Sequence, residues 1–489
     1  MSARHIAKKR KARRNNGFVR LLGMIVCLGA AVAVTIVVVS LYDLGLTLTT
    51  RPIFTVILID IALTAAPIVL TLSGKINFNM ITRVCTFVVA GLVLFVNLFA
   101  ASALDATNRF MGEITEPAKA GAVEYSIVAQ RSARIELSPR NEVRAGIQSK
   151  DSCKEEATEE TKKIVAASFT EYYDLSEMVG ATEENLLDIA VVQSVLLNAY
   201  AEYFPDSYDN LAVLKTFTAG SSSATPNTSG TVVDVTKPFS VYISGADVFG
   251  DIDQVARSDA NMLVLIDPVQ YKILLINTPR DYYVQLHGTT GYKDKLTHAG
   301  LHGIEMSEQT IEDLYDLEIN YHVRVNFDTI VNLVDAMGGI AIYNPTEFTL
   351  WSTTYAEGKI YLNGDAALMY SRARKGLAEG DFSRGDNQQR VIEAIIDRIT
   401  KPHVVIYYIS FIEALSGTLR SNIPPKVITQ LFERQISLGG DWTIEKMNAE
   451  GKGAMLPTYS MGAQELSVQM PIEASVEEIK AAIHDFLNG

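Results

Sequence analysis

Cysteine is scarce in this sequence, and positive charge is not in excess. The 489 residues contain three cysteines, Cys27, Cys85 and Cys153, at no paired spacing. This excludes a framework of disulfides and a zinc site built from cysteine pairs. The formal net charge is −13, which argues against nucleic acid as a partner because binding to it requires a basic surface.

What the sequence does contain is long apolar runs near its N-terminus. A basic segment, residues 1–17, precedes apolar stretches at about 18–42, 53–72 and 81–104. Each stretch is long enough to cross a bilayer and the loops between them are short, so we predict three transmembrane helices within residues 18–104. Positive charge is concentrated before the first stretch, which predicts a cytoplasmic N-terminus and places the chain after residue 104 outside.

Two polar residues, Asp60 and Asn97, lie within the second and third of these stretches. A polar group inside a membrane is costly, so such a residue either marks a functional site or makes a contact between helices. We interpret both residues as contacts that fix the packing of the helices.

Beyond residue 104 the composition changes twice. Residues 105–218 are polar and amphipathic, with helical periodicity over Lys154–Val165 and Glu183–Tyr203 and a short alternating stretch at 133–140. This pattern predicts a small α+β accessory domain outside the membrane. Residues 219–237 are rich in serine, threonine and glycine and are expected to form a linker or an exposed loop.

Residues 238–489 alternate between strand and helix patterns. The segment FSVYISG (239–245) alternates as a strand, and two apolar runs, 261–266 and 271–277, flank the turn signal Asp267-Pro268. These two runs are predicted to pair as antiparallel strands. Strands interleaved with helices predict an α/β domain with a mixed sheet between two helical layers, an α-β-α arrangement.

The densest group of charged side chains lies between Asn363 and Ile395. Arg372 and Arg374 are two residues apart, so on extended backbone both would project from one face. Arg384 and Gln388 are four residues apart and would share one side of a helix. Forked guanidinium groups and a helix N-terminus suit phosphate or diphosphate. The alternative is a solvated network of salt bridges, in which the neighbouring Asp381, Asp386 and Arg390 would take part.

Three more charged residues flank predicted strands. Asp247 comes after the first strand, Asp259 just before the second, and Arg280 at the end of the third. Two aspartates can share a hard cation, and Mg²⁺ characteristically combines one or two carboxylates with substrate phosphates. We therefore expect a Mg²⁺ or Mn²⁺ site at Asp247 and Asp259. Each aspartate taken alone is also a common turn or capping residue.

Several blocks of this sequence resemble one known family. The segment ALMYSRAR, followed by an acidic loop and GDFSRGDNQQRVI, is similar to the C-terminal signature of the LytR-CpsA-Psr family, extracytoplasmic phosphotransferases of bacterial cell envelopes. Five further blocks follow the order and spacing of that family: YISGADVFG (242–250), ARSDANMLVLIDP (256–268), ILLINTPRDYYV (273–284), KDKLTHAG (293–300) and LVDAMGGIAIYN (333–344).

The resemblance implies roles for individual residues. It implies that Asp247 and Asp259 hold the metal, and that the diphosphate is bound by Arg280, Arg372, Arg374, Arg384 and Gln388. Asp381 matches an acidic position of the family and is a candidate to orient or deprotonate the acceptor hydroxyl. With Asp259, Arg280, Arg372 and Arg374 it completes the expected catalytic set. Lys295 is a candidate to neutralise phosphate charge, and a structural role in its loop is the alternative for both Lys295 and His298.

The resemblance also implies a reaction and a location. The family transfers a glycopolymer from a polyprenyl pyrophosphate carrier to peptidoglycan, and the same α-β-α fold is implied. Three spans and an accessory domain are similar to members that serve capsule loci, so the expected donor carries capsular polysaccharide and the expected partners include other capsule-assembly proteins. The expected location is the cell membrane of a Gram-positive-type envelope, with several spans and the catalytic domain outside. The alternatives are a regulator that binds polyprenyl phosphate without turnover, and a pyrophosphatase that transfers the chain to water.

Overall fold

The structure is a computed structural model that describes residues 29, 32–39, 58–60, 62, 80–115, 123–220, 231–350, 352–373, 381–400 and 404–489. The chain divides into two compact units. The first comprises Met1–Gly112 with Pro425–Gly440, and the second comprises Glu113–Pro424 with Asp441–Gly489. The basic segment and most of the first two predicted spans lie outside the described residues.

The predicted third span lies in the long helix Met80–Thr115. Within the described part of the chain, the portion Gly91–Thr115 is the one helix that is long and apolar enough to cross a membrane. Asn97 Nδ2 donates hydrogen bonds to Asp60 Oδ1 and to the carbonyl of Val93, each at 2.9 Å. These bonds agree with the interpretation of Asp60 and Asn97 as a packing contact, while the topology with three spans stays a prediction.

The N-terminal part of the second unit forms a mixed sheet, which we call the first sheet region (residues 123–219). Its strands are β1 (Val123–Gln130), β2 (Glu142–Gln148), β3 (Ala166–Tyr172), β4 (Ile189–Gln193) and β5 (Leu211–Ala219), in the order β3-β2-β4-β1-β5. Its helices are Lys154–Ile164, Leu175–Glu183, Ser194–Tyr203 and Pro205–Asp209. Strand β2 is parallel to β3 and β4, and β1 is antiparallel to β4 and β5. Its limits as a separate accessory domain stay a prediction, because the whole region falls within one compact unit.

The prediction of helical structure across Glu183–Tyr203 was wrong in its first half. A helix ends at Glu183, Asn185 has a left-handed φ of 57°, and the central strand Ile189–Gln193 follows before the next helix begins at Ser194. The apolar run IAVV is buried on both sides as a central strand, a pattern that periodicity cannot separate from buried helix. The stretch 133–140 is irregular rather than a strand.

The rest of the second unit contains the remaining strands and most of the remaining helices of the described residues. The strands are β6 (Phe239–Ala246), β7 (Ser258–Asp267), β8 (Lys272–Thr278), β9 (Tyr283–Val284), β10 (Asp294–Lys295), β11 (Tyr321–Val325), β12 (Ile340–Asn344), β13 (Phe348–Leu350), β14 (Thr353–Tyr355), β15 (Gly358–Leu362), β16 (Leu419–Ser421), β17 (Thr443–Asn448), β18 (Gly451–Thr458) and β19 (Gly462–Pro471). The helices are Leu296–Ala299, the 3₁₀ turn Gly300–His302, Ile304–Tyr315, Phe327–Ala336, Gly364–Arg372, Asp381–Ile399, Val404–Leu415 and Glu473–Asn488. The helix Pro425–Leu438 belongs to the first unit.

Among the described residues, six strands form the main sheet in the order β16-β11-β6-β7-β8-β17. The predicted hairpin is confirmed, since β7 and β8 are antiparallel and flank Asp267-Pro268. Strand β11 runs parallel to β6 and β17 runs parallel to β8, so the sheet is mixed. The predicted mixed α/β architecture is therefore confirmed.

Helices cover both faces of the main sheet. On one face, Leu263 and Leu265 belong to a buried cluster that includes Ile311 and Ile479 from the helices Ile304–Tyr315 and Glu473–Asn488. The helix Asp381–Ile399 lies on the other face, where a Cβ at Gly385 would come within 2.1 Å of Asn277 Nδ2 on β8. A side chain at this position would require Asn277 to move, so glycine favours the close approach of the start of the helix to the end of the sheet.

Candidate active site

A cavity of about 480 Å³ lies in the second unit, beside the ends of β6, β7 and β8. The polar residues that line it are Glu202, Asp247, Arg257, Asp259, Arg280, Asn326, Ser371, Arg372, Arg384 and Gln388. Its large apolar side chains are Ile243, Met262, Val325, Phe327, Ile330, Leu350, Leu368, Val391 and Ile392. One space therefore combines a cluster of charges with an apolar wall.

The two aspartates come together because of an irregularity in the sheet. Gly245 pairs with Ala260, but the next residue of β6, Ala246, pairs with Ser258. Asp259 is thus the extra residue of a β-bulge rather than a residue before the strand, and Asp247 follows directly after Ala246. Bulges redirect side chains and are common beside active sites.

Among the described residues, two side chains donate hydrogen bonds to Asp259. Nη1 of Arg280 donates a hydrogen bond to its Oδ2 at 2.5 Å, and Oγ1 of Thr297 donates to its Oδ1 at 2.9 Å. Burial raises the pKa of Asp259, but the guanidinium groups of Arg280, Arg384 and Arg257 outweigh burial and lower that pKa to about 2. Asp259 is therefore ionised at neutral pH.

Asp247 belongs to a second group of charges. Its Oδ2 accepts a hydrogen bond at 2.5 Å from Nη2 of Arg257, and its Oδ1 lies 3.9 Å from Nη2 of Arg372. The guanidinium carbon of Arg372 lies 4.2 Å from the ring centroid of Phe327, which holds the arginine against an aromatic face at the cavity. The Arg372 side chain remains 43% exposed, so it can reach a ligand that enters from solvent.

Arg280 and Arg384 are the two most buried arginines that line the cavity. The side chain of Arg280 is 5% exposed, and its Nε lies 3.8 Å from Oδ2 of Asp281, too far for a hydrogen bond. Among the described residues this buried Nε has no hydrogen-bond partner. Such a donor is costly unless something accepts from it, which is consistent with an anionic ligand beside it.

Lys295 lies behind Arg280 and does not line the cavity. Its Nζ lies 3.1 Å from Oδ1 of Asp281 and 4.7 Å from the ring centroid of Tyr203. This ion pair favours the structural alternative for Lys295, and its role in neutralising phosphate charge stays a prediction. His298 is also structural, with Nδ1 2.6 Å from Oδ1 of the buried Asp294.

The helix Asp381–Ile399 presents the predicted pair to the cavity. Arg384, Gln388, Val391 and Ile392, at helical spacing, all line it. The neighbouring Arg390, by contrast, does not line the cavity, and its Nη1 donates to Asn387 Oδ1 at 2.8 Å.

The structure describes only part of the charged segment between Asn363 and Ile395. Arg372 ends the helix Gly364–Arg372, so the extended backbone on which Arg372 and Arg374 would share a face is not present at Arg372, although Ala373 is extended. Arg374 lies outside the described residues. The backbone of Asp381 begins the next helix, while its side chain lies outside the described part of the structure.

The carboxylates fit a hard cation that completes its coordination with ligand oxygens. Within the described residues no group of three or more histidine, cysteine or acidic side chains could hold a metal ion. Asp247 and Asp259 line the same cavity, however, and two carboxylates are a usual protein contribution to Mg²⁺ when phosphates supply the rest. The described lining contains four arginines and three carboxylates, so its formal charge is close to neutral.

Two charged residues at the cavity were not singled out from the sequence. Arg257 stands two residues before Asp259, inside the block ARSDANMLVLIDP (256–268) that resembles the family. Its place in that block is the sequence signal that could have identified it. Glu202 comes from the helix Ser194–Tyr203 of the first sheet region. No local pattern marks it, because only the tertiary fold brings it to the cavity.

Comparison with known proteins points to one family. The profile of the LytR_cpsA_psr family matches residues 210–479. A polyisoprenyl-teichoic acid–peptidoglycan teichoic acid transferase TagU from Bacillus cereus is 33% identical over 207 residues, which cover 42% of this chain and 66% of that relative. The TagU of Halalkalibacterium halodurans is 31% identical over 222 residues, which cover 45% of this chain and 71% of that relative.

Solved structures are also similar. The crystal structure of TagV from Bacillus subtilis is 28% identical and covers 52% of this chain and 98% of its own, with a TM-score of 0.44. Protein gbs0355 from Streptococcus agalactiae is 28% identical and covers 52% of this chain and 89% of its own, with a TM-score of 0.45.

Proposed function

Because the chain belongs to the LytR-CpsA-Psr family, we propose that it is a membrane-anchored phosphotransferase that moves a glycopolymer from a polyprenyl pyrophosphate carrier to peptidoglycan. The observation that carries this proposal is the composition of the cavity. Arginines and carboxylates suited to a diphosphate stand beside an apolar wall suited to a lipid chain. TagU relatives are named as transferases of teichoic acid to peptidoglycan, which supports the same class of reaction.

The charged end of the cavity would bind the diphosphate. Arg280, Arg372 and Arg384 supply forked donors that suit phosphate oxygens, and Gln388 adds an amide. Arg374 is proposed to complete this set on the basis of its match to the family. Phosphoryl transfer depends mainly on positioning and charge neutralisation, which these groups provide.

The apolar wall would hold the first part of the polyprenyl chain. Met262 and Ile243 come from the sheet, Ile330 from the helix Phe327–Ala336, and Val391 and Ile392 from the helix Asp381–Ile399. Ligand sites typically combine such apolar linings with a few convergent polar groups.

In the proposed reaction, a hydroxyl oxygen of peptidoglycan attacks the phosphorus that carries the glycopolymer. The new phosphorus–oxygen bond forms as the bond to the bridging oxygen breaks, and polyprenyl phosphate leaves with that oxygen. Asp381 is proposed to orient or deprotonate the hydroxyl. The arginines neutralise the charge that the leaving phosphate acquires.

Asp247 and Asp259 are proposed to hold Mg²⁺ or Mn²⁺, which would supply Lewis-acid stabilisation of the phosphate oxygens. The near-neutral lining favours this assignment, because a bound diphosphate would otherwise leave an excess of negative charge in a shielded site. Transfer should therefore stop in excess chelator and return when Mg²⁺ or Mn²⁺ is added. Full activity of chelator-treated, metal-free protein would contradict the assignment.

The wider setting is also a proposal. We infer a cytoplasmic N-terminus, three membrane spans and an extracytoplasmic catalytic domain in a Gram-positive-type envelope. The expected donor is capsular polysaccharide, with other capsule-assembly proteins as partners, since three predicted spans and a predicted accessory domain resemble capsule-locus members.

The function can be tested with full-length protein in detergent and a defined polyprenyl pyrophosphate-linked glycan. We expect phosphodiester-linked glycan on soluble peptidoglycan, together with one polyprenyl phosphate for each transfer. Release of glycan phosphate at the same rate without acceptor would instead indicate a pyrophosphatase. Binding of the donor without any turnover would indicate a regulator.

A further inference from the structure

The helix Ser194–Tyr203 of the first sheet region touches the charged end of the cavity. Its penultimate residue, Glu202, lines the cavity, and Glu202 Oε2 lies 2.5 Å from Nη1 of Arg257. The other terminal nitrogen of Arg257, Nη2, lies 2.5 Å from Oδ2 of Asp247. One guanidinium group therefore bridges a carboxylate of the first sheet region and a carboxylate of the main sheet.

The last residue of the same helix reaches the other aspartate by a longer path. The Tyr203 ring lies 4.7 Å from Lys295 Nζ, which is paired with Asp281. Asp281 is beside Arg280, and Arg280 is hydrogen-bonded to Asp259. Glu202 and Tyr203, which are consecutive in the helix, are thus connected through other side chains to Asp247 and Asp259, the two aspartates that line the cavity.

Apolar packing holds this helix in position. Leu196, Leu197 and Tyr200 of the helix are buried in a cluster that also contains Met461 and Leu466 from the hairpin β18–β19. The first sheet region therefore shares a core with the remainder of the second unit. The approach of Glu202 to Arg257 follows from this packing rather than from a long side chain reaching across solvent.

We propose that Glu202 is a positioning residue of the phosphotransferase reaction, acting on Asp247 through Arg257. This inference rests on the proposed function. The guanidinium of Arg257 donates hydrogen bonds to two carboxylates, so neutralising Glu202 would leave Asp247 as the one charged carboxylate among the described residues that is hydrogen-bonded to Arg257. Asp247 would then be held more strongly and be less able to act on a diphosphate or its cation. In this account the first sheet region completes the active site.

The partial burial of the bridge supports a role beyond a surface ion pair. The side chains of Arg257 and Asp247 are 14% and 18% exposed, whereas Glu202 is 50% exposed at the edge of the group. Charges in a shielded site are screened less by salt than charges at the surface. A change of charge at Glu202 should therefore be felt at Asp247.

The test uses full-length enzyme with Glu202→Gln, which keeps the size of the side chain and removes its charge. We expect kcat for transfer to fall about tenfold, as is typical when a residue that orients an active-site group is replaced. KM for the donor and the thermal unfolding midpoint should stay unchanged. Glu202→Asp should recover part of kcat because it restores the charge. Glu184→Gln, at an exposed glutamate of the same region, is the matched control and should behave as wild type.

A double-mutant cycle tests whether Glu202 acts through Arg257. In an Arg257→Gln background, Glu202→Gln should change kcat less than about twofold, because the bridge is already broken. An undiminished effect in that background, a wild-type kcat for Glu202→Gln alone, or a loss that follows a lowered unfolding midpoint would each overturn the inference. Absence of transfer by the wild type would contradict the proposed function itself, which distinguishes the two failures.

Discussion

The helix Asp381–Ile399 carries polar residues on two sides that meet different surroundings. Arg384 and Gln388 line the cavity. Gln389, one residue further along, is buried against the sheet and donates to the carbonyls of Met447 at 2.8 Å and Leu275 at 3.3 Å. The consecutive glutamines therefore differ in their surroundings. Gln388 lines the cavity, and Gln389 holds the helix against β8 and β17.

The same division separates the charged residues around the helix. Arg372 and Asp259 line the cavity, whereas Arg390 and Asp386 do not. Asp386 Oδ1 accepts a hydrogen bond from Asn448 Nδ2 at 2.6 Å, and its Oδ2 lies 3.7 Å from Arg390. The comparison teaches that position in the fold, and not residue type, separates residues that line the cavity from residues that pack the helix. Paired substitutions can test this separation.

The largest difference is expected between two aspartates. If the proposed function holds, Asp259→Asn should lower the rate of transfer at least about 100-fold, because it removes the charge proposed to act on the reacting phosphate and its cation. Donor binding should stay within a few-fold of wild type, since the arginines remain. Asp386→Asn is the control and should leave transfer within about twofold. Normal turnover by Asp259→Asn would show that Asp259 is only a structural residue of the bulge.

A smaller difference is expected between two arginines. Arg372→Ala should weaken donor binding roughly tenfold or more, because a hydrogen bond to a charged group contributes about 1.5–3 kcal/mol. Arg390→Gln should leave the affinity unchanged, since Arg390 contacts Asn387 and Asp386 rather than the cavity. The affinity of both variants is measured by equilibrium binding of a labelled polyprenyl pyrophosphate. An equal loss of affinity in the two variants would contradict the distinction between arginines that line the cavity and arginines that do not.

The smallest expected effects come from the consecutive glutamines. Gln389→Ala should lower the free energy of unfolding by about 1–3 kcal/mol, because two buried carbonyls lose a donor, and should leave activity per folded molecule unchanged. Gln388→Ala should show the converse, with donor affinity a few-fold lower and normal stability. Chemical denaturation and donor binding measured on both variants give the comparison. A stability loss at Gln388 that matches the loss at Gln389 would contradict it.

Local patterns predicted the parts of the site that depend on neighbouring residues. The spacing of Arg384 and Gln388 predicted a shared helical face, and both residues line the cavity. The strands around Asp247 and Asp259 were also predicted, because alternation and a turn signal are local properties. The bulge that makes Asp259 an extra residue of β7 depends on pairing with β6, which no single stretch encodes.

Features that depend on distant contacts were missed or misplaced. Lys295 shares a sequence block with residues near the site, but its ion pair with Asp281 could not be predicted from that block. Glu202 reaches Arg257 from 55 residues earlier in the chain, by way of a core shared between two sheets. The strand Ile189–Gln193 was predicted to be helical, because a strand that is buried on both faces lacks the alternation of polar and apolar residues that identifies a strand.

The most direct test of the account is to locate the bound carrier. A polyprenyl pyrophosphate with a photoreactive group on its first isoprene unit should crosslink to the apolar wall, at residues such as Met262, Ile330 and Val391, and unlabelled donor should compete. Arg372→Ala should reduce this labelling at low ligand concentration. Labelling that maps outside the cavity, or that unlabelled donor does not reduce, would contradict the claim that this cavity binds the lipid-linked diphosphate.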